Sequence, residues 1–260
     1  MKQFITIVTS LLILTGCSKD ANMKTVRVAA TSVPHAEILE QIKPDLKAEG
    51  IDLEIIIVED YNTPNRALAD KEVDANFFQH HPFLEMQMNE FGYPLEVLTG
   101  VHLEPMGLYS KKVKQLQDLP KGSSIAIPSD PTNQARALHL LEQQNLVHFK
   151  GTAKKTSVVD LTNSTDPYKI VEIDSPLLAR SLDDVELAAI TTNFALQADL
   201  SPQKDALARE DQHSDFVNLI VIRKGEADRM DLQALKKAAT SEKVKRFINE
   251  RYRGSIYPAF

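Results

Sequence analysis

Short runs of alternating apolar and polar residues take turns along this chain with longer stretches of helical period. The first β-rich run is Val26 to Ala30, followed by a helical pattern from about Pro34 to Glu49 and a second run at Leu53 to Val58. A short helix near Pro64 to Ala69 leads into a third run, Ala75 to Phe78. This βαβαβ order predicts a parallel sheet with covering helices. Leu103 to Ser110 reads as a strand leaving that unit, because the charged connector from Lys111 to Gly122, with its Pro-Lys-Gly turn, precedes a second α/β series. Strands are expected there at Ser124 to Pro128, Lys169 to Ile173 and Leu187 to Thr191, with helices near Thr132 to Gln144 and Pro176 to Leu182. Residues 150–167 are polar and carry no regular pattern. A late β-branched run, Asp215 to Arg223, precedes a helical tail from Leu232 to Arg251. Two α/β units and a late strand predict two lobes with two crossings: 25–108 with 218–260 in one, 109–217 in the other. In open α/β sheets ligands bind beyond the carboxyl ends of strands, so the cleft between the lobes is the expected site.

The start of the chain sets its compartment. Lys2 precedes an apolar stretch from Phe4 to Leu14, shorter than the roughly 18 to 20 residues that span a bilayer, so residues 1–16 read as a signal peptide. Leu14-Thr15-Gly16-Cys17 resembles a lipobox, which makes Cys17 the expected site of lipidation, palmitate included, and 17–24 a lipidated N-terminus with a polar tether. Each acyl chain contributes about 0.8 kcal/mol per buried methylene, so two or three make a lasting anchor. Cys17 is the only cysteine, which excludes an internal disulfide. The formal charge of -6, one unit more negative without Lys2, and the scattered Lys and Arg residues argue against nucleic acid as a partner.

Candidate chemistry gathers where predicted strands end. In Ile127-Pro128-Ser129-Asp130-Pro131-Thr132-Asn133-Gln134-Ala135-Arg136 a strand runs into a helix that Ser129 or Asp130 can cap, with Pro131 in its first turn. Free N–H groups, the helix dipole and the Arg136 fork together suit a carboxylate, gripped bidentately; the alternative is Arg136 paired with a nearby acid for structure. Tyr61, Phe78 and His80 follow two other strands and suit an aromatic box for a flexible apolar side chain such as a thioether. Against that, Phe77, Phe78 and Phe83 are also good core residues, and alternation requires one of the first two to be core. Asn193 and Asn218 sit at strand ends and offer both an acceptor for an ammonium and a donor for a carboxylate, or else simply form turns. His80 and His81, with His35, His102 and His213, do not form a metal motif: neighbours on a strand face opposite ways and the others lie in unrelated contexts. No Gly-x-Ser-x-Gly, P-loop or Gly-x-Gly-x-x-Gly motif occurs, so neither an enzyme nor a cofactor is expected.

Taken in order, Pro34-His35-Ala36-Glu37, Asp60-Tyr61 with Pro64-Asn65, Asp74-Ala75-Asn76-Phe77-Phe78-Gln79-His80, Glu104-Pro105-Met106-Gly107-Leu108-Tyr109-Ser110, Asp130-Pro131-Thr132-Asn133, Arg136-Ala137-Leu138, Leu182-Asp183-Asp184-Val185 and Asn193 resemble the methionine-binding lipoprotein family of MetQ/NlpA type over nearly the whole mature chain. The resemblance implies a two-lobed periplasmic-binding-protein fold, type II-like, that closes on methionine and delivers it to an ABC transporter permease with its ATPase. It also implies a monomer held to the membrane by its lipid. Arg136 with Asn133 would hold the carboxylate, Asn193 and Asn218 the polar head, and Tyr61, Phe78 and His80 the thioether. Departures from the family's usual residues are Val33, Lys71 and Asp199 for glycines, Ser129 for an asparagine, and Phe83 and Phe194 for tyrosines. The two lost hydroxyls bear on the choice among methionine, its D-isomer, oxidised forms or a methionyl dipeptide. Related amino acids, and an enzyme or adhesion lipoprotein on the same scaffold, are the competing readings.

Overall fold

The computed structural model of the chain describes residues 23–148, 157–161, 168–212 and 216–260. The leader, Cys17, most of the tether, His213 and the Asp215 start of the late strand lie outside the described residues, as do most of 150–167.

The first lobe opens with β1 (Lys24–Ala30), α1 (Glu37–Ala48), β2 (Ile51–Ile57), α2 (Thr63–Ala69), β3 (Ala75–His80), α3 (His81–Phe91) and β4 (Leu95–Leu103). The second holds β5 (Gly107–Tyr109), β6 (Ser124–Pro128), α4 (Pro131–Gln143), β7 (Lys169–Ile173), α5 (Leu178–Ser181), β8 (Leu187–Ile190), α6 (Thr192–Gln197) and β9 (Ala208–Arg209). The chain then returns through β10 (Val217–Arg223), α7 (Met230–Ala239), α8 (Glu242–Tyr252) and β11 (Tyr257–Pro258). One sheet has the order β11-β4-β10-β3-β1-β2, the other β7-β6-β8-β5-β9. β1 runs parallel to β2 and β3, whereas β10 inserts antiparallel between β3 and β4.

Period-two alternation divides each sheet's apolar residues between two faces. Val26, Val28 and Ala30 meet Ile38, Leu39, Ile42 and Leu46 of α1, together with α7 and α8. The intervening Ala29 turns to Leu68 of α2 and Leu84 of α3. In the second sheet Ile125 and Ile127 pack on Leu138 and Leu141 of α4, while Ala126 faces Leu178 and Phe194. The helix α1 shows why its sequence is helical: its buried residues recur at the 3.6-residue period and form one apolar stripe.

The boundary between lobes departs from expectation in one detail. Leu103 to Ser110 is not one strand. Pairing stops at Glu104-Pro105-Met106, since Pro105 has no N–H to give and the Met106 N–H goes to the Glu210 carboxylate at 2.8 Å. Gly107 and Leu108 therefore join the second sheet, and Val217 the first. Other differences are additions. The α3 helix, with Pro82 in its first turn and Gly92 at its end, and the strand β4 were not anticipated. The helical tail is two helices, because the Ser241 side chain caps a new start by accepting from the Val244 N–H.

Candidate functional site

Each functional segment is fixed by its own local chemistry. After β2, the Asp60 carboxylate takes the N–H groups of Asn62 and Thr63, each at 2.7 Å. That starts α2 and leaves Tyr61 facing the second lobe. On β3, alternation sends Phe77 into the core and Phe78 toward the cleft. Phe77 is fully buried, edge-on to His35 with ring centroids 4.6 Å apart, whereas Phe78 lies 5.9 Å from Tyr61 and 5.8 Å from Phe83. His80 ends the strand and caps α3: its Nδ1 accepts from the Phe83 N–H, so its proton sits on Nε2 and is donated to Asn133 Oδ1 at 3.0 Å. Burial, with the nearby Arg136 charge second, pulls the His80 pKa down to about 3 and keeps it neutral. His81 is exposed at the start of α3.

All seven residues singled out in the sequence, Tyr61, Phe78, His80, Asn133, Arg136, Asn193 and Asn218, line one cavity between the lobes. It encloses about 300 Å³ of atom-free space, part of it open to solvent. Gln79, Phe83, Glu104 and Thr191 complete the wall. Most of these side chains stand near the end of a strand or in the segment that follows it, whereas Arg136 lies in the second turn of α4 and Asn218 is the second residue of β10. Asn218 pairs in register with both His80 of β3 and His102 of β4, so three adjacent strands deliver polar groups to the same edge. Tyr61 joins the lobes by donating to Asn193 Oδ1 at 2.6 Å, and Phe194 packs 5.0 Å from its ring.

The carboxylate subsite differs from its expected form. The start of α4 is capped by Asp130, which takes the Asn133 N–H at 2.9 Å and both ways engages the Asn133 amide at 3.1 Å. The helix end is thus already supplied with an anion. Arg136 has five N–H donors, and Nε gives one to Glu210 at 2.8 Å while Nη2 gives its two to Glu210 and to the Glu104 carbonyl, each at 2.5 Å. A bidentate grip on ligand through Nε and Nη2 is therefore spent, and among the described residues the Nη1 hydrogens are those left. The acid-pairing alternative for Arg136 is realised in its contacts, even though the residue also faces the cavity. Near it, Asn193 Nδ2 is buried with no partner among the described residues. A buried donor in a cavity wall costs about 1 to 3 kcal/mol until an acceptor arrives.

Sequence reasoning missed Glu104 and Glu210. Glu104 had a signal: it is the single charge in the apolar run Val101-His102-Leu103-Glu104-Pro105-Met106. Glu210 had none, because its neighbours are polar. The histidines were also misplaced, since His35 and His102 are not in unrelated contexts but lie with ring centroids 4.9 Å apart and planes tilted by 59°. With Glu104 they form a group whose potential ligand atoms lie within 4.8 Å of one another. The His102 Nε2 to Glu104 Oε1 distance of 2.7 Å is that of a hydrogen bond, whereas two atoms bound to one zinc sit about 3.3 Å apart.

The NlpA lipoprotein profile matches residues 26–260. The chain is 38% identical to the methionine-binding lipoprotein MetQ of Bacillus subtilis (strain 168), across 92% of this chain and 89% of that protein. It is 36% identical to the D-methionine-binding lipoprotein MetQ of Escherichia coli (strain K12), across 94% and 92%. A solved nutrient-binding protein from Burkholderia cenocepacia bound to methionine is similar in structure with a TM-score of 0.87 at 38% identity, over 90% of this chain and 100% of that one.

Proposed function

From the membership of this chain in the NlpA lipoprotein family, we propose that it is a lipid-anchored solute-binding protein that captures methionine and delivers it to an ABC transporter permease. It does so as a monomer, without catalysis, with its binding lobes outside the cytoplasm and Cys17 carrying the lipid. The observation that carries the reading is one cavity between the lobes whose wall combines aromatic rings with the Asn193 amide, unpartnered among the described residues.

The thioether side chain lies against Tyr61, Phe78, Phe83 and the neutral ring of His80. Burying a methionine side chain is worth about 1.5 to 3 kcal/mol, and each good sulfur–aromatic contact about 0.3 to 1.5 more. Micromolar binding needs about 8 kcal/mol, so the polar head supplies the difference. Arg136 Nη1 and Asn193 Nδ2 are the donors for the carboxylate, and Asn218 faces the head group from β10. Asn133 acts mainly by holding His80 in its tautomer. Related amino acids and methionyl dipeptides compete for the same cavity.

Mass spectrometry of protein purified from its native membrane tests both halves of the proposal. Denaturation should release methionine, whose hand chiral chromatography assigns, and the N-terminal peptide should begin at an acylated Cys17. Another released ligand would overturn the methionine reading, and an unmodified Cys17 the anchor.

A further inference from the structure

Glu104 is buried, 4% exposed, on the passage between the lobes, and its carboxylate forms part of the cavity wall. Its Oε1 lies 2.7 Å from His102 Nε2 and 3.3 Å from His35 Nε2, and its Oε2 accepts the Asn193 N–H at 2.9 Å.

These neighbours are all neutral donors. His35 Nε2 lies 3.1 Å from Asn218 Oδ1, which can only accept, so the proton sits on Nε2 and Nδ1 accepts from the Thr31 hydroxyl at 2.6 Å. His102 Nδ1 is buried without a partner among the described residues. A proton there would strand a buried N–H, the costlier kind of orphan, so it sits on Nε2 and points at Glu104. Burial pulls His35 down to about 4 and His102 to about 3, which leaves both uncharged. The nearest guanidinium, Arg136, is bound to Glu210 through two nitrogens and touches Glu104 only at its main-chain oxygen. With that pair neutral, no cation among the described residues is bonded to the Glu104 carboxylate, and Arg136 acts on it only at a distance. Burial pushes the Glu104 carboxyl upward, a strain that a cation in the cavity relieves, and Oε2 retains a lone pair for it.

We propose that Glu104 is the counter-ion of the ligand's α-ammonium and makes the cavity selective for ligands that carry a free cationic amine. The assignment rests on the amino-acid reading of the cavity and adds a specificity residue to it.

Calorimetry on the wild type with three ligands tests it: L-methionine, the amine-free 4-(methylthio)butanoate and the carboxyl-free 3-(methylthio)propylamine. Methionine should exceed the butanoate by at least about 100-fold, and the amine should bind more tightly than the butanoate. In Glu104→Gln the preference for methionine over the butanoate should fall below about 10-fold, through loss of methionine affinity. The wild-type ranking decides the matter even where the variant does not fold. A butanoate that binds as well as methionine, or better than the amine, overturns the assignment alone, and so does an equal loss of both acids in the variant. A wild type that binds none of the three overturns the methionine reading together with it.

Discussion

Arg136 shows how one residue can serve both readings of its sequence context. Its Nε and Nη2 hydrogens hold Glu210 and the Glu104 carbonyl, its guanidinium lies 4.3 Å over the Phe216 ring, and Nη1, without a partner among the described residues, is the donor for the proposed ligand. Removing one member of a buried ion pair costs about 3 to 5 kcal/mol, and Glu210 is only 11% exposed. Arg136→Ala should therefore lower the melting temperature of ligand-free protein and also abolish micromolar methionine binding. Adding Glu210→Gln removes the stranded carboxylate, so the double variant should recover part of the melting temperature and none of the affinity. Recovery of affinity in calorimetry would mean that Arg136 acts only through Glu210. The residue scale also shows what a pattern can reach. Alternation alone split Phe77 from Phe78, whereas the partner of Arg136 lies 74 positions away and leaves no trace in local sequence.

Three helices end in the same hydrogen-bonded turn. After α2 the Glu72 N–H returns to Ala67 O and that of Lys71 to Leu68 O; after α4 and α6 the same pattern runs from Leu146 to Leu141 O and from Leu200 to Ala195 O. The turn needs a left-handed residue, ordinarily glycine. Here Lys71, Asn145 and Asp199 take the place, with φ of 63°, 57° and 58°. Asn and Asp tolerate that region through local hydrogen bonds, but lysine carries the Cβ penalty of about 1 to 2 kcal/mol. Lys71→Gly should stabilise the protein by about 1 kcal/mol, or about 2 to 4 °C in melting temperature, and Asp199→Gly by less. A lower melting temperature for Lys71→Gly would contradict this account of the turn. Sequence marked Lys71 and Asp199 as departures at glycine positions, and the backbone explains why glycine suits them.

At the scale of the whole molecule, three buried neutral histidines tie stability to pH. His35, His80 and His102 have folded-state pKa values of about 4, 3 and 3, against about 6.5 in the unfolded chain. Between these limits the unfolded chain binds more protons, so their contribution is complete above pH about 6.5 and is lost as pH falls toward 4. Each histidine contributes a slope of about 1.4 kcal/mol per pH unit within that window. Glu104, pushed upward by burial, offsets part of it, because its folded-state cost is relieved on protonation. The urea midpoint of ligand-free protein should fall steadily from pH 7 to 4.5. A midpoint that stays level across that range would show that these histidines are not neutral and buried together.

Local sequence was enough for most of the alternation of strands and helices, though not for α3 or β4, and for seven of the positions that line the cavity. Those features follow from periodicity, capping and turn residues within about a dozen positions of one another. The seven residues singled out meet because most follow the carboxyl ends of parallel strands, while the antiparallel β10 brings the start of its own strand, with Asn218, to the same edge. Tertiary structure alone decided who pairs with whom. Glu210 reached Arg136 because β9, just before it, pairs with β5 in the second sheet, and His35 and His102 closed on Glu104 within the first lobe, where β10 inserts between β3 and β4. Charge balance in a buried cavity is a sum over such distant contacts, so it cannot be read from any one stretch of chain.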